Sequence, residues 1–216
     1  MGYNTKMKHL TNLFKLMQLT RSQPLYGYVI GGVQKNDLSN LAEHHYLVTF
    51  IAWQLARQVK SKGANINVEK VLEFAMVHDI GELFGGDISM PYARANPKAR
   101  EYAKAFEEEN QKFLSKFFGS EEAYFKKLGH EILDAKSDEA LIAKIADYLE
   151  HIHYKQYIKV ISQKTDIDSL RPVLKLKISK IKDPVAKKEI DKFTKDWLKN
   201  VSKKEIPEIL YNTKGK

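Results

Sequence analysis

Apolar residues recur at helical spacing through almost the whole chain, and no stretch alternates apolar and polar residues between hairpin turns. That pattern calls for helices packed on helices, an all-α fold. Leu10, Leu13, Phe14 and Met17 form one stripe, between about Thr5 and Thr20. Leu41, Val48, Ile51, Ala52, Leu55 and Val59 form another, on a helix expected from about Asn40 to Lys62. Asn67 caps a third helix ending near Gly81, Asn96-Pro97 opens a fourth that ends at Gly119, and Ser120 with Glu121 and Glu122 opens a fifth. Ser137 caps a sixth, running to Ser162, on which Leu141, Ile145, Tyr148 and Ile152 are spaced to pack inward. Two more are expected from Asp168 to about Lys182 and from Asp183-Pro184, a cap followed by proline, to about Val201. Between the first two helices, Arg21 to Ser39 reads as a long loop with Pro24, Gly27, Gly31 and Gly32, of the kind that lines functional sites.

At 216 residues the chain can bury a substantial core in one domain with an appendage. The expected division is a main domain over residues 1–165 and basic helices over 166–216 packed on it. The net charge of +9 supports that division: residues 1–154 carry 19 basic and 19 acidic side chains, and residues 155–216 carry 17 against 8. A basic face of this sort more often solvates a helix surface than binds nucleic acid. No apolar run approaches the ~20 residues of a membrane span, and the first residues lack the apolar core of a signal peptide. The expectation is a cytoplasmic protein without a membrane partner.

Cysteine is absent, so disulfides, thiol nucleophiles and cysteine-based zinc sites are all excluded. Any metal must be held by His, Asp and Glu. One stretch gathers such groups: Phe74 to Ile88, FAMVHDIGELFGGDI, in which an apolar helical run ends at His78-Asp79. Glu82 follows three residues later, and Asp87 stands just beyond the Gly85-Gly86 pair. A nitrogen donor, an oxygen donor and two further acids beside a glycine break suit a hydrolytic metal site. A His-Asp dipeptide is common by chance, so the rest of the chain has to support it. On the second helix His44 and His45 both fall near the apolar stripe, and helical period does not choose between them. On the sixth, Asp147 sits among Ile145, Ala146, Tyr148 and Leu149, where a carboxylate is costly unless paired or bound to a cation.

Taken in order, these residues read H…HD…D, which resembles the HD superfamily of metal-dependent phosphohydrolases, and within it the YfbR-type 5′-deoxynucleotidases and related archaeal HD-domain proteins. The first ligand of that branch lies in an AEH or SEH triplet, here Ala42-Glu43-His44. The centre reads HDxxE followed by GD, here HDIGELFGGD, and the last aspartate lies in a KxAD segment, here Lys144-Ile145-Ala146-Asp147. The resemblance spans roughly residues 8 to 160. It implies an HD-type helical bundle with added C-terminal helices, and metal ligands His44, His78, Asp79 and Asp147. The implied cofactor is one divalent ion, Mn, Co, Ni, Fe, Zn or Mg. The resemblance further implies that Glu82 and Asp87 handle protons, one at the attacking water and one at the leaving oxygen, and that Arg21 holds the phosphate.

The implied activity is hydrolysis of nucleoside 5′-monophosphates, with a preference for deoxyribose. This chain departs from the branch in three ways: no tryptophan follows Arg21, the loop after it is longer and carries Tyr26 and Tyr28, and the segment after Asp87 reads SMPYAR without the usual lysine. Tyr26 or Tyr28 would then have to wall off the sugar. Competing readings are another HD phosphohydrolase, such as a phosphodiesterase or guanosine-tetraphosphate hydrolase, and a nucleic-acid-binding module using the basic last third. Of the other histidines, His151 lies one turn from Asp147, while His9 and His130 read as surface residues. A homodimer is expected, through the apolar residues Tyr154, Tyr157, Ile158 and Ile161.

Overall fold

The computed structural model describes residues 2–201 and 206–211, and among them only helices and turns form, with one isolated bridge between Pro24 and Asn40. The helices are α1 (Gly2–Met17), α2 (Leu41–Ser61), α3 (Val68–Val77), α4 (Met90–Ala95) and α5 (Pro97–Ser115). They continue with α6 (Glu122–Asp134), α7 (Asp138–Tyr157), α8 (Ser169–Ser179), α9 (Pro184–Asn200) and α10 (Ile206–Tyr211). The all-α reading holds.

Helices α2, α3 and α7 pack on one another and form the centre. Of the predicted stripes, Leu41, Val48 and Ala52 on α2 and Leu141, Ile145 and Ile152 on α7 are fully buried; Val71, Phe74 and Ala75 on α3 and Ile142 and Leu149 on α7 are buried with them, while Tyr148 is half-buried. Burying such side chains is worth about 1.5–3 kcal/mol each, which holds the ends of three helices in register around the polar groups they carry. Side-chain caps start each of them: Asn40 accepts from the Glu43 amide, Asn67 from that of Lys70, and Ser137 from that of Ala140. Helix α5 packs on α6 and on the turn after α3, α8 packs on α7, and α9 packs on α2 and α8.

Several boundaries differ from expectation. The segment from Arg21 to Ser39 is ordered as successive 3-10 turns, at Gln18–Arg21, Tyr26–Gly31 and Lys35–Asp37. Helix α3 stops at Val77 rather than near Gly81, because Asp79 leaves helical geometry (φ −122°, ψ 21°) and a 3-10 turn, Ile80–Phe84, takes over. That break swings Asp79 off the helix line. Gly85 and Gly86 then adopt φ of 101° and 107°, which side chains rarely tolerate, and turn the chain back toward α4. Helix α4 itself has no counterpart among the helices expected from sequence. Helix α7 ends at Tyr157, short of Ser162: Lys159 turns left-handed (φ 61°), and Asp166 accepts both from the Ser162 amide and from the buried Lys155 ammonium, at 2.7 Å each.

Candidate active site

His44 lies one turn into α2, His78 and Asp79 at the end of α3, and Asp147 midway along α7. Helix packing alone brings them together, with one candidate ligand atom from each and all of these within 4.8 Å of one another. His44 Nε2 is 3.1 Å from His78 Nε2, 3.6 Å from Asp79 Oδ2 and 3.5 Å from Asp147 Oδ1. His78 Nε2 is 3.1 Å from Asp79 Oδ2.

The outer partners orient this set. His44 Nδ1 donates to Glu150 Oε2 at 2.7 Å, and His78 Nδ1 donates to the Ala75 carbonyl at 2.8 Å. With both Nδ1 atoms protonated, both Nε2 atoms carry lone pairs, and these face each other. Two acceptors at 3.1 Å repel unless a proton or a cation stands between them. Burial lowers the affinity of His44 for a proton, yet Asp147, Asp79 and Glu150 overcome it and hold the imidazole well above the ordinary histidine value. Lys144 occupies the outer side, with Nζ 3.1 Å from Asp79 Oδ1 and 3.8 Å from Asp147 Oδ2. It takes the carboxylate oxygens that point away and leaves Asp79 Oδ2 and Asp147 Oδ1 toward the imidazoles. Two neutral nitrogens and two carboxylate oxygens converging in this way fit one divalent cation. The four ligands expected from sequence are thus brought together.

His45, left open beside His44, does not converge. Its ring lies 4.8 Å from that of His78, its Nε2 is buried without a partner, and burial together with His78 keeps it neutral.

A cavity of about 450 Å³ opens from the cluster and is lined by Glu82, Asp87, Glu107, Tyr28 and Lys144 among others. Burial raises the Glu82 carboxyl well above its usual range, and the charges of Asp79, Asp87 and Glu107 add to this. Burial also raises Asp87, but the Gly27 amide donates to its Oδ2 and favours the anion. A Cβ on Gly27 would stand 2.7 Å from Asp87 Oδ1, so only glycine permits this approach. Glu107, from α5, is pushed up to about 7, by burial first and then by Asp79.

Tyr28 reaches the cavity, stacks on His151 (ring centroids 4.6 Å apart, 11° between planes) and places its hydroxyl 3.4 Å from Glu150 Oε2. Tyr26 is half-exposed and lies off the cavity. Arg21 is not brought to the site: its Nε donates to Gln18 Oε1 at 3.0 Å on an exposed turn, away from the cavity lining. Of the residues expected to form a dimer surface, Tyr154, Ile158 and Ile161 pack against the core, and Tyr157 is exposed.

Sequence reading missed Glu150, Lys144 and Glu107 as site residues. The first two were within reach of it, since both stand three residues from Asp147 and therefore on its helix face. Glu107 had no local signal, because it faces the site only through the packing of α5.

The matching family model is that of the YfbR-like 5′-deoxynucleotidases, over residues 30–201. Among curated relatives, a 5′-deoxynucleotidase of Vibrio vulnificus is 42% identical over 79 residues, 35% of this chain and 40% of that protein. One of Yersinia pestis is 34% identical over 112 residues, 51% of this chain and 56% of that protein. The chain thus spans about half the length, or less, of these curated relatives. A conserved hypothetical protein from Pyrococcus furiosus has a solved structure similar to this one, at a TM-score of 0.61 and 25% identity, covering 88% of this chain and 98% of that one. A Pyrococcus horikoshii protein matches in fold, with a TM-score of 0.61 at 23% identity over 89% of this chain and 98% of that one. With a match running from the Tyr26–Gly31 turn to the end of α9, a span that contains all four converging side chains, the chain belongs to the YfbR-like 5′-deoxynucleotidase family.

Proposed function

We propose that this protein is a metal-dependent phosphohydrolase that cleaves deoxyribonucleoside 5′-monophosphates to deoxynucleoside and phosphate. The observation that carries the reading is the convergence of His44 Nε2 and His78 Nε2 at 3.1 Å, closed by Asp79 and Asp147 and opening on a cavity with separate acids. When bound, a divalent cation held by these four residues supplies Lewis-acid polarisation of a phosphoryl oxygen and acidifies water.

The chain's own groups then divide the proton work. Glu82, whose carboxyl is raised well above the usual range by burial and by its anionic neighbours, is the acid for the leaving 5′ oxygen. Asp87, whose anion is supported by the Gly27 amide, orients the attacking water and accepts its proton. Tyr28, backed by His151, is the wall beside the sugar. A 2′-hydroxyl pressed against a ring face loses its water without gaining a partner, and so is disfavoured.

Phosphate release from dAMP against AMP, and dGMP against GMP, with Mn or Co tests the reading. Equal rates on both sugars would remove the deoxy preference, and no release from any monophosphate would remove the nucleotidase. Replacing Glu82 with glutamine should matter less for an aryl phosphate, whose leaving group needs no proton; an equal loss on both substrates would reverse the assignment of the acids.

A cytoplasmic location and a homodimer belong to the same proposal. Among the described residues no helix is long and apolar enough to cross a membrane. Exposed Tyr46, Leu47 and Phe50 on α2 supply apolar surface for a second copy; a monomer in sedimentation at micromolar concentration would end the dimer. The nucleic-acid reading is less well supported, because α8 and α9 bury their apolar faces against α7 and α2. Retention of nucleic acid on a filter at moderate salt would revive it.

A further inference from the structure

Arg94 at the end of α4, Arg100 in the first turn of α5 and Lys177 on α8 come from three helices to line one cavity. Unlike Lys144, which is paired with Asp79 and Asp147, none of the three has a carboxylate at ion-pair distance among the described residues. Lys177 is crowded: burial, and then Lys144, Lys180 and Arg100, lower its ammonium below the ordinary lysine value, with Asp147 opposing. Its α8 neighbours Leu174 and Ile178 are buried, so the helix cannot turn to carry it away. Cations gathered without an anion repel one another, and an anion placed among them relieves that repulsion.

A second observation in the same cavity points to a ligand. Ser89 lines the cavity, is 6% exposed, and its hydroxyl is buried without a hydrogen-bond partner. A buried hydroxyl left so is unfavourable until something in the cavity pairs with it.

We propose that Arg94, Arg100 and Lys177, with the Ser89 hydroxyl, form an anion-binding wall that holds the phosphate of the substrate in this chain, where Arg21 turns away. Two guanidinium forks and an ammonium offer several charge-assisted donors to the peripheral oxygens of a phosphate dianion, and the hydroxyl adds a neutral one. The identity of the molecule carrying that phosphate rests on the nucleotidase reading; the wall does not.

The experiment is titration calorimetry of inorganic phosphate into the full chain stripped with EDTA, so that no metal contributes to the binding. Wild-type protein should bind phosphate. Arg94→Gln and Arg100→Gln should each weaken it by about tenfold, Ser89→Ala by about threefold, and Arg100→Lys, which keeps charge but loses the fork, by an intermediate factor. The triple Gln variant should bind none. These cations sit on the surface or half-buried, and circular dichroism checks that each variant folds. In metal-loaded enzyme the same substitutions should raise KM for the nucleotide more than they lower kcat.

Phosphate binding by the triple variant equal to wild type would overturn the proposal. So would no binding by wild type at millimolar phosphate, or loss in Arg21→Ala with the triple variant unaffected. If no nucleotide is hydrolysed but phosphate binding still depends on these residues, the wall stands and the nucleotidase falls. Nucleotide hydrolysis with phosphate binding indifferent to these residues would keep the nucleotidase and remove the wall.

Discussion

Glu150 offers the sharpest test of how the candidate metal site is built. Its Oε2 lies 2.7 Å from His44 Nδ1, with the Glu150 side chain 2% and the His44 side chain 5% exposed, so water does not compete for the contact. A charge-assisted hydrogen bond in such surroundings contributes about 1.5–3 kcal/mol. Without it, His44 keeps an unpaired buried Nδ1–H, or moves its proton to Nε2 and no longer offers a lone pair. Either route lowers metal binding, which corresponds to an affinity weakened about 10–100-fold in Glu150→Ala. Glu150→Gln keeps an acceptor of nearly the same shape but removes the charge, and a neutral bond is about half as strong. Its loss should therefore be about 3–10-fold, which separates orientation from packing. The assay is calorimetric titration of Mn into EDTA-stripped protein, with circular dichroism as a check on folding. An alanine variant that folds and binds Mn within about twofold of wild type would refute the reasoning.

Three further outcomes are expected. His44→Ala should be empty on elemental analysis while His45→Ala retains metal, because only His44 aims Nε2 at the cluster; the reverse result would show the adjacent pair to be wrongly resolved. Gly27→Ala should leave metal content and melting temperature nearly unchanged but lower kcat about 10–100-fold, since the added Cβ displaces only the flexible end of Asp87; unchanged kcat would mean that Asp87 does not need its present position. Glu107 titrates near 7 in the fold, against about 4.5 for an ordinary glutamate. The folded state therefore binds the extra proton between those values, and the group's ionisation costs stability that grows as pH rises through 7. In metal-free protein Glu107→Gln should stabilise by about 1–2 kcal/mol more at pH 8 than at pH 5, a figure discounted for a half-buried group; an equal gain at both pH values would exclude titration as the cause.

The sequence by itself determined most of the helices, their caps and the set of candidate ligands. Asn40, Asn67 and Ser137 cap the helices expected of them, because capping is a contact between a side chain and an amide two or three residues on. The stripes of α2 and α7 could be read because burial on one helix face follows a fixed period. His44, His78, Asp79 and Asp147 were legible as an ordered motif. What only the tertiary structure decided are the contacts between groups far apart in the chain. Helical period could not separate His44 from His45; the packing of α2 against α3 and α7 does, by turning one ring toward Asp147 and leaving the other beside His78. Glu150 is an unremarkable helical acid until α2 brings His44 to it across 106 residues. Asp87 meets the Gly27 amide across 60 residues. Arg21 matched its motif, but a motif records which residue is present and not where a 3-10 turn points it; here the turn pairs it with Gln18. The cations that face the cavity instead, Arg94, Arg100 and Lys177, lie on three separate helices, and only packing brings them to one wall.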